Sequence, residues 1–186
     1  KFNEVYGETL TEPEIILPSN QACLRLPGTD GKAKMSKSLG NCIYLSDEPE
    51  EIKTKIMSMF TDPTHLRKDD PGHTEGNPVF IYLDAFCRPE HFAEFLPEYQ
   101  SLDELKVHYQ RGGLGDVTVK KFLNNVMQTE LRPIRERRKE WEHRLPEVYE
   151  ILRVGSEKAE QVAAKTLHAV RSAMKIDYFE NDNLLR

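Results

Sequence analysis

Residues 31–41 concentrate groups that can bind phosphate. The stretch reads Gly-Lys-Ala-Lys-Met-Ser-Lys-Ser-Leu-Gly-Asn, so three lysines and two serines lie close together between glycines. Lysine ammonium groups pair with phosphate as point charges, and serine hydroxyls and loop amides add directed donors. Flanking glycines let such a loop move onto a ligand. These residues suit a mobile clamp for a triphosphate, whose charge would act most on the departing pyrophosphate. For an arbitrary loop of this composition a solvated basic loop is the more common explanation.

Within this stretch, residues 34–38 read Lys-Met-Ser-Lys-Ser. That motif is identical to the signature loop of the class I aminoacyl-tRNA synthetases. Most of the remaining chain resembles the bacterial tryptophanyl-tRNA synthetase family. The similarity lies in short segments that occur in the same order, among them residues 26–31, 61–63, 70–72, 77–80, 113–116, 133–138 and 166–174.

The resemblance implies a reaction and a set of site residues. Tryptophan and ATP, with Mg²⁺ bound as the ATP complex, would form tryptophanyl-adenylate, and the tryptophanyl group would then pass to tRNA(Trp). Lys34 and Lys37 would be the catalytic residues. Leu24 would line the adenine pocket, and the expected ATP-binding residues are Leu24, Lys34, Met35, Ser36, Lys37 and Ser38. No metal site formed by the protein is predicted, because the spacing of His65, His73 and the acidic residues near them fits no ligand pattern.

The second signature of the family, a His-x-Gly-His motif, is missing. The histidines are at 65, 73, 91, 108, 143 and 168, and none forms such a pair. In the family this motif and most of the tryptophan pocket belong to the N-terminal part. The chain is therefore expected to be the C-terminal half of a longer protein, to be inactive alone, and to come from a homodimer. Two alternatives stay open: a tyrosyl-type relative, and a non-catalytic RNA-binding paralogue.

The predicted fold class is mostly α, namely the end of a Rossmann-like α/β catalytic domain followed by an α-helical anticodon-binding bundle. The boundary is placed where the composition changes, giving residues 1–45 and 46–186. In the first part, residues 14–17 and 24–26 are short apolar runs that predict strands.

The second part shows helical periodicity and capping signals. Asp47 with Glu50 suggests a capping box, while Asn77-Pro78 and Ser101 with Glu104 mark two further helix starts. A long helix is predicted from Asp116 through Trp141. After it, Pro146 would begin a short helix that Gly155 ends, and a last helix would run over 156–175.

Positive charge is concentrated within the predicted long helix, although the chain has a net charge of −5. Cations at helical spacing can contact RNA phosphates, but an ordinary solvated face would look the same. The resemblance to an anticodon-binding bundle makes these residues candidates for tRNA contact: Lys120, Lys121, Arg132, Arg135, Arg137 and Arg138.

The remaining composition indicates a cytoplasmic protein. Mean hydropathy is −0.63, and no apolar run is long enough to cross a membrane. Cys23, Cys42 and Cys87 contain no CxxC pair and are expected to be reduced thiols.

Overall fold

A computed structural model describes residues 1–178 of the chain. These residues are mostly helical, which confirms the predicted class. The helices are α1 (Phe2–Tyr6), α2 (Pro49–Met57), α3 (Pro78–Phe86), α4 (Pro89–Phe95), α5 (Leu102–Arg111), α6 (Asp116–Glu142) and α7 (Leu145–Met174). Two short 3₁₀ turns, Gln21–Cys23 and Lys37–Leu39, precede α2.

The strands predicted at 14–17 and 24–26 are absent, so that prediction is wrong. In residues 1–178, the β-type pairing amounts to one antiparallel bridge between Pro27 and Lys34. Ile15 and Ile16 are 84% and 94% exposed. A strand needs a hydrogen-bonded neighbour along its length, and no described residue supplies one here.

The described chain packs as two compact units, residues 17–139 and residues 1–16 with 140 onward. Unit 17–139 contains the hydrophobic core. Its innermost side chains come from helices α2, α3, α5 and α6, and those with no exposed surface are Ile52, Ile56, Leu83, Leu105, Tyr109, Leu123 and Val126. This unit contains the loop and most of the basic residues discussed above. The predicted functional boundary at residues 45 and 46 stays a prediction.

Helix starts in this unit follow the predicted capping chemistry with one change. Asn77 Oδ1 accepts a hydrogen bond from Val79 N at 3.1 Å, and Ser101 Oγ accepts from Glu104 N at 3.2 Å. The first capping box lies one residue later than predicted, on Glu48 and Glu51. Asp47 instead accepts from Tyr44 N at 2.8 Å and pairs with Lys55 at 2.5 Å.

The second unit contains α1 and α7. Asn3 closes the turn after α1, because its side chain donates to Leu10 O at 2.7 Å and accepts from Leu10 N at 2.9 Å. Helix α7 continues through Gly155, so the predicted break there is wrong. An interior glycine costs a helix about 1 kcal/mol, which does not end a helix of 30 residues.

Candidate functional site

The base of the 34–38 loop is a narrow backbone ladder. Gly28 N donates to Ala33 O at 2.8 Å, and Met35 N donates to Leu26 O at 3.4 Å. The hydroxyl of Tyr82, a buried residue of α3, donates to Pro27 O at 2.8 Å. The ladder therefore joins the loop to the helical core, and burial raises the pKa of the Tyr82 phenol, which stays neutral.

Asn41 shapes the loop from beneath. Its side chain is almost fully buried, with 4% of the residue exposed. Oδ1 accepts a hydrogen bond from Ser36 N at 2.8 Å, while Nδ2 donates to Asp30 Oδ1 at 3.2 Å. Thr29 N also donates to Asn41 O at 3.0 Å. One side chain thus ties the middle of the signature loop to the turn that precedes it.

Asp30 is the anionic partner in this arrangement. Lys32 N donates to its Oδ1 at 3.2 Å, in addition to the Asn41 amide. Burial acts to raise the pKa of Asp30, but these hydrogen bonds outweigh it and lower the pKa below its usual value. The carboxylate is therefore ionised, and its hydrogen bonds stabilise the turn.

The polar side chains of the signature motif are more accessible than this framework. Lys34, Lys37 and Ser38 are exposed, and Ser36 is half-buried. Among residues 1–178, neither lysine side chain has an ion-pair or hydrogen-bond partner. The Ser36 and Ser38 hydroxyls lie 2.9 Å apart and share a hydrogen bond. In the described chain the loop thus offers two unpaired cations and two adjacent hydroxyls, groups that can bind phosphate oxygens.

The two apolar members of the predicted site differ in their surroundings. Met35 is half-buried and packs against the core cluster, so it anchors the loop. Leu24 follows the first 3₁₀ turn and is 47% exposed. Contact of Leu24 with an adenine base stays a prediction.

Sequence reasoning missed the residues that set the shape of the loop. The sequence pattern assigns no site role to Asn41 or to Gly28. A methyl group on Gly28 would overlap the Asn41 amide, so glycine there permits the close approach. The Gly40-Asn41 pair, separated from the motif by Leu39, was an available signal, because Gly40 has a left-handed φ of 66° and ends the 3₁₀ turn directly before Asn41.

The predicted tRNA contacts divide into two groups. Lys120 is 9% exposed, and its Nζ donates to Met59 O at 2.6 Å and Met57 O at 3.1 Å. Its ammonium is thus occupied inside the unit. Lys121, Arg132 and Arg137 are exposed, and within the described range their side chains have no polar partner. Arg138 is also exposed and has an interaction partner.

Arg135 lines a groove of about 520 Å³ between α2, α4 and α6. The arginine is 8% exposed, and its Nη2 donates to Gln128 Oε1 at 3.0 Å. Within residues 1–178 its Nη1 has no hydrogen-bond partner, a condition that costs free energy until an acceptor binds. Arg132 lies on the same groove, together with Phe95 and Asn125. The groove therefore combines cations, amides and an aromatic ring with two carboxylates, Glu50 and Glu94.

The described residues contain no group of three or more His, Cys, Asp and Glu side chains that could hold a metal ion. His73 Nδ1 instead pairs with Asp62 Oδ2 at 2.7 Å. His65 is buried and stacks on Tyr109 with 4.6 Å between ring centroids.

Over residues 1–178, no helix is both long and apolar enough to cross a membrane.

The signature loop and most of the helical unit lie in the stretch that a family of class I synthetases matches. The sequence pattern of the family "tRNA synthetases class I (W and Y)" matches residues 1–132, and the chain belongs to this family. Its relatives include tryptophan–tRNA ligases. The protein from Clostridium longisporum is 57% identical over 181 residues, which are 97% of this chain and 50% of that protein.

A second relative and a solved structure are also similar to this chain. The tryptophan–tRNA ligase of Streptococcus pyogenes serotype M3 is 53% identical over 96% of the chain and 51% of its own length. The tryptophanyl-tRNA synthetase of Campylobacter jejuni, solved as a complex with ADP and tryptophan, is 28% identical with a TM-score of 0.65. That match covers 93% of this chain and 50% of the other. The chain thus spans about half the length of these relatives.

Proposed function

We propose that this chain is the part of a tryptophan–tRNA ligase that grips ATP. The whole enzyme would activate tryptophan with ATP to tryptophanyl-adenylate and transfer it to tRNA(Trp). The observation that carries the proposal is the loop at 34–38. There Lys34 and Lys37 are exposed and have no partner in the described part of the chain, and Asn41 Oδ1 accepts a hydrogen bond from Ser36 N. The tryptophan specificity is supported by relatives that are 57% and 53% identical.

In this mechanism the residues bind and stabilise charge rather than bond covalently to substrate. The Lys34 and Lys37 ammonium groups would contact the triphosphate, and the Ser36 and Ser38 hydroxyls would donate to its oxygens. As the α-phosphate is transferred to the tryptophan carboxylate, negative charge increases on the leaving pyrophosphate. The lysines stabilise it most at that stage, so they accelerate the reaction rather than only tighten binding.

Mg²⁺ would enter with ATP. The carboxylate of Asp30, in the turn before the loop, already accepts hydrogen bonds from Lys32 N and Asn41 Nδ2. Phosphate oxygens and water would therefore supply the ligands that Mg²⁺ prefers. When bound, the ion neutralises phosphate charge, and the protein contributes the lysines beside it.

The test is tryptophan-dependent exchange of pyrophosphate into ATP by the full-length ligase that contains this chain. Lys37→Ala should slow adenylate formation roughly 10²–10³-fold, the usual effect of removing one transition-state donor, and should leave tryptophan binding nearly unchanged. Lys32→Ala, in the same exposed segment but outside the motif, is the matched comparison and should cost far less. A normal rate for Lys37→Ala would refute the clamp assignment.

Two further arms of the same assay address specificity and completeness. Tyrosine in place of tryptophan should support no exchange, and exchange with tyrosine alone would assign the tyrosyl alternative. The isolated 186-residue chain should show no exchange, because it contains no His-x-Gly-His motif. Activity of that chain alone would contradict this part of the proposal.

The cationic residues of α6 other than Lys120 are proposed to contact tRNA. The groove beside Arg132 and Arg135 supports this, since an arginine with an unused donor favours a phosphate oxygen. Exposed Lys121, Arg137 and Arg138 extend the same basic segment. A homodimeric, cytoplasmic enzyme is the corresponding expectation for the full-length protein.

A further inference from the structure

Lys120 lies in the interior of unit 17–139 and has no carboxylate bound to it there. Its Nζ is held by two main-chain carbonyls, Met59 O at 2.6 Å and Met57 O at 3.1 Å. Met57 is the last residue of α2, and carbonyls at a helix C-terminus lack partners within the helix. The Lys120 ammonium supplies a donor to Met57 O and complements the negative end of the helix dipole.

The residue after Met59 contacts the base of the signature loop. Phe60 N donates to Thr29 O at 3.0 Å. The Phe60 ring lies against Gly31, so closely that a Cβ atom on this glycine would be 2.8 Å from Phe60 Cδ1. Gly31 also has a left-handed φ of 66°. The position of Phe60 therefore constrains the turn from which the loop emerges.

From that turn a hydrogen-bonded path continues to the motif. Thr29 N donates to Asn41 O at 3.0 Å, and Ser36 N donates to Asn41 Oδ1 at 2.8 Å. From Lys120 to Ser36, each link is a covalent bond or a hydrogen bond within unit 17–139. Helix α6 is thus connected to the 34–38 loop, although Lys120 itself does not contact that loop.

A lysine is a costly choice for this position. Burial disfavours the charged ammonium and lowers the pKa of Lys120. A methionine would fill a similar volume without the desolvation cost, and such replacements of buried charges are often neutral or stabilising. What methionine cannot do is bind two carbonyls and thereby fix one path of the chain from α2 to Phe60.

We propose that Lys120 is a positioning residue for adenylate formation: by holding the Met57 and Met59 carbonyls it fixes Phe60 under Gly31, and so couples α6 to the 34–38 loop. This inference rests on the proposed function of the loop. It assigns Lys120 a role different from its predicted tRNA contact, while the exposed neighbour Lys121 keeps that prediction.

The experiment compares variants of the full-length ligase in tryptophan-dependent pyrophosphate exchange, at a temperature well below the melting temperature of each. Lys120→Met should lower kcat roughly 10- to 100-fold, the range expected when hydrogen bonds from a charged donor are lost, with the KM for tryptophan unchanged. Lys120→Arg keeps a cation that can reach the carbonyls and should restore most of the rate. Lys165→Met, an exposed lysine on α7, controls for the substitution itself.

Phe60→Leu provides a second variant that leaves the Lys120 contacts in place. It removes the ring beneath Gly31 and should also lower kcat. If both residues act along one path, the double variant Lys120→Met/Phe60→Leu should be no slower than Lys120→Met alone, whereas independent effects multiply.

The outcomes separate the two proposals. A Lys120→Met enzyme could have a lower melting temperature but exchange pyrophosphate at the wild-type rate while folded. That result would overturn the inference, because Lys120 would then only stabilise the fold. If the fold-reduction in kcat of the double variant equals the product of the two single reductions, the two residues act independently and the shared path is wrong. Absence of tryptophan-dependent exchange in the wild type would instead overturn the proposed function. If Lys120→Met does not fold, Phe60→Leu decides, because a wild-type rate there also overturns the inference.

Discussion

Replacing Asn41 by alanine tests the role of the loop's backbone shape separately from the role of its lysine charges. Asn41 is buried beneath residues 34–38, and none of its atoms belongs to the signature motif. Asn41→Ala removes the acceptor for Ser36 N–H and the donor to Asp30 but leaves Lys34 and Lys37 in place. The variant therefore tests whether the shape of the loop matters in addition to its charges.

The expected magnitude follows from the hydrogen bonds lost. Two have good geometry, at 2.8 and 3.2 Å, and a third contact to Lys34 O, at 3.5 Å, is too long to count. At about 1 kcal/mol net for each bond, their loss removes about 2 kcal/mol of loop stabilisation. If the loop must hold this shape only while it grips the triphosphate, adenylate formation slows about 30-fold, since 1.4 kcal/mol is about tenfold in rate.

Pyrophosphate exchange by the full-length ligase measures this directly, with the KM for tryptophan as an internal reference. Gln161→Ala, on the exposed surface of α7, is the comparison for a side chain remote from the loop. Circular dichroism establishes that the variant is folded. A folded Asn41→Ala enzyme with the wild-type exchange rate would refute the idea that Asn41 shapes the active loop.

Three further predictions follow from individual contacts. Gly28→Ala should slow exchange at least as much as Asn41→Ala, because the added methyl group displaces the Asn41 amide; exchange kinetics check this, and a normal rate would contradict it. Arg135→Gln should raise the KM for tRNA and reduce the slope of log affinity against log salt by about one, as for a lost phosphate contact, without slowing exchange. Burial acts to raise the pKa of Asp62, but hydrogen bonds, including those from His73, outweigh it and lower that pKa. Stability from Asp62 is therefore present above its ordinary pKa of 3.8 and is lost as the pH falls through the lower folded value, so urea unfolding should show Asp62→Asn destabilised at pH 7 and nearly equal to the wild type in strong acid.

Helices with local signals were predictable from the sequence. Asn77 before Pro78 and Ser101 before Glu104 are capping patterns contained within a few residues, and both form as predicted. Asp47 shows the limit of this reasoning. It had the spacing of a capping residue, but its carboxylate pairs with Lys55 in the structure, and Glu48 begins the helix instead.

Strand predictions failed because a strand is not a local structure. The apolar run at 14–17 satisfies a strand pattern, yet a strand also requires a paired neighbour. Ile15 and Ile16 are instead almost fully exposed in the described chain. The predicted break at Gly155 failed for the opposite reason, because helix formation is cooperative and the long flanking segments outweigh one weak residue.

What the sequence by itself determined is the chemistry of the loop and the family. Residues 34–38 are consecutive, and a cluster of lysines and serines retains its chemistry in any fold that exposes it. Only the tertiary structure decided which residues support that loop. Asn41 depends on the turn at Asp30, and Lys120 meets the Met59 carbonyl across 61 residues of chain. Such contacts depend on how α2 and α6 pack, so a buried lysine that positions the chain and an exposed lysine available to RNA look alike until the helices are assembled.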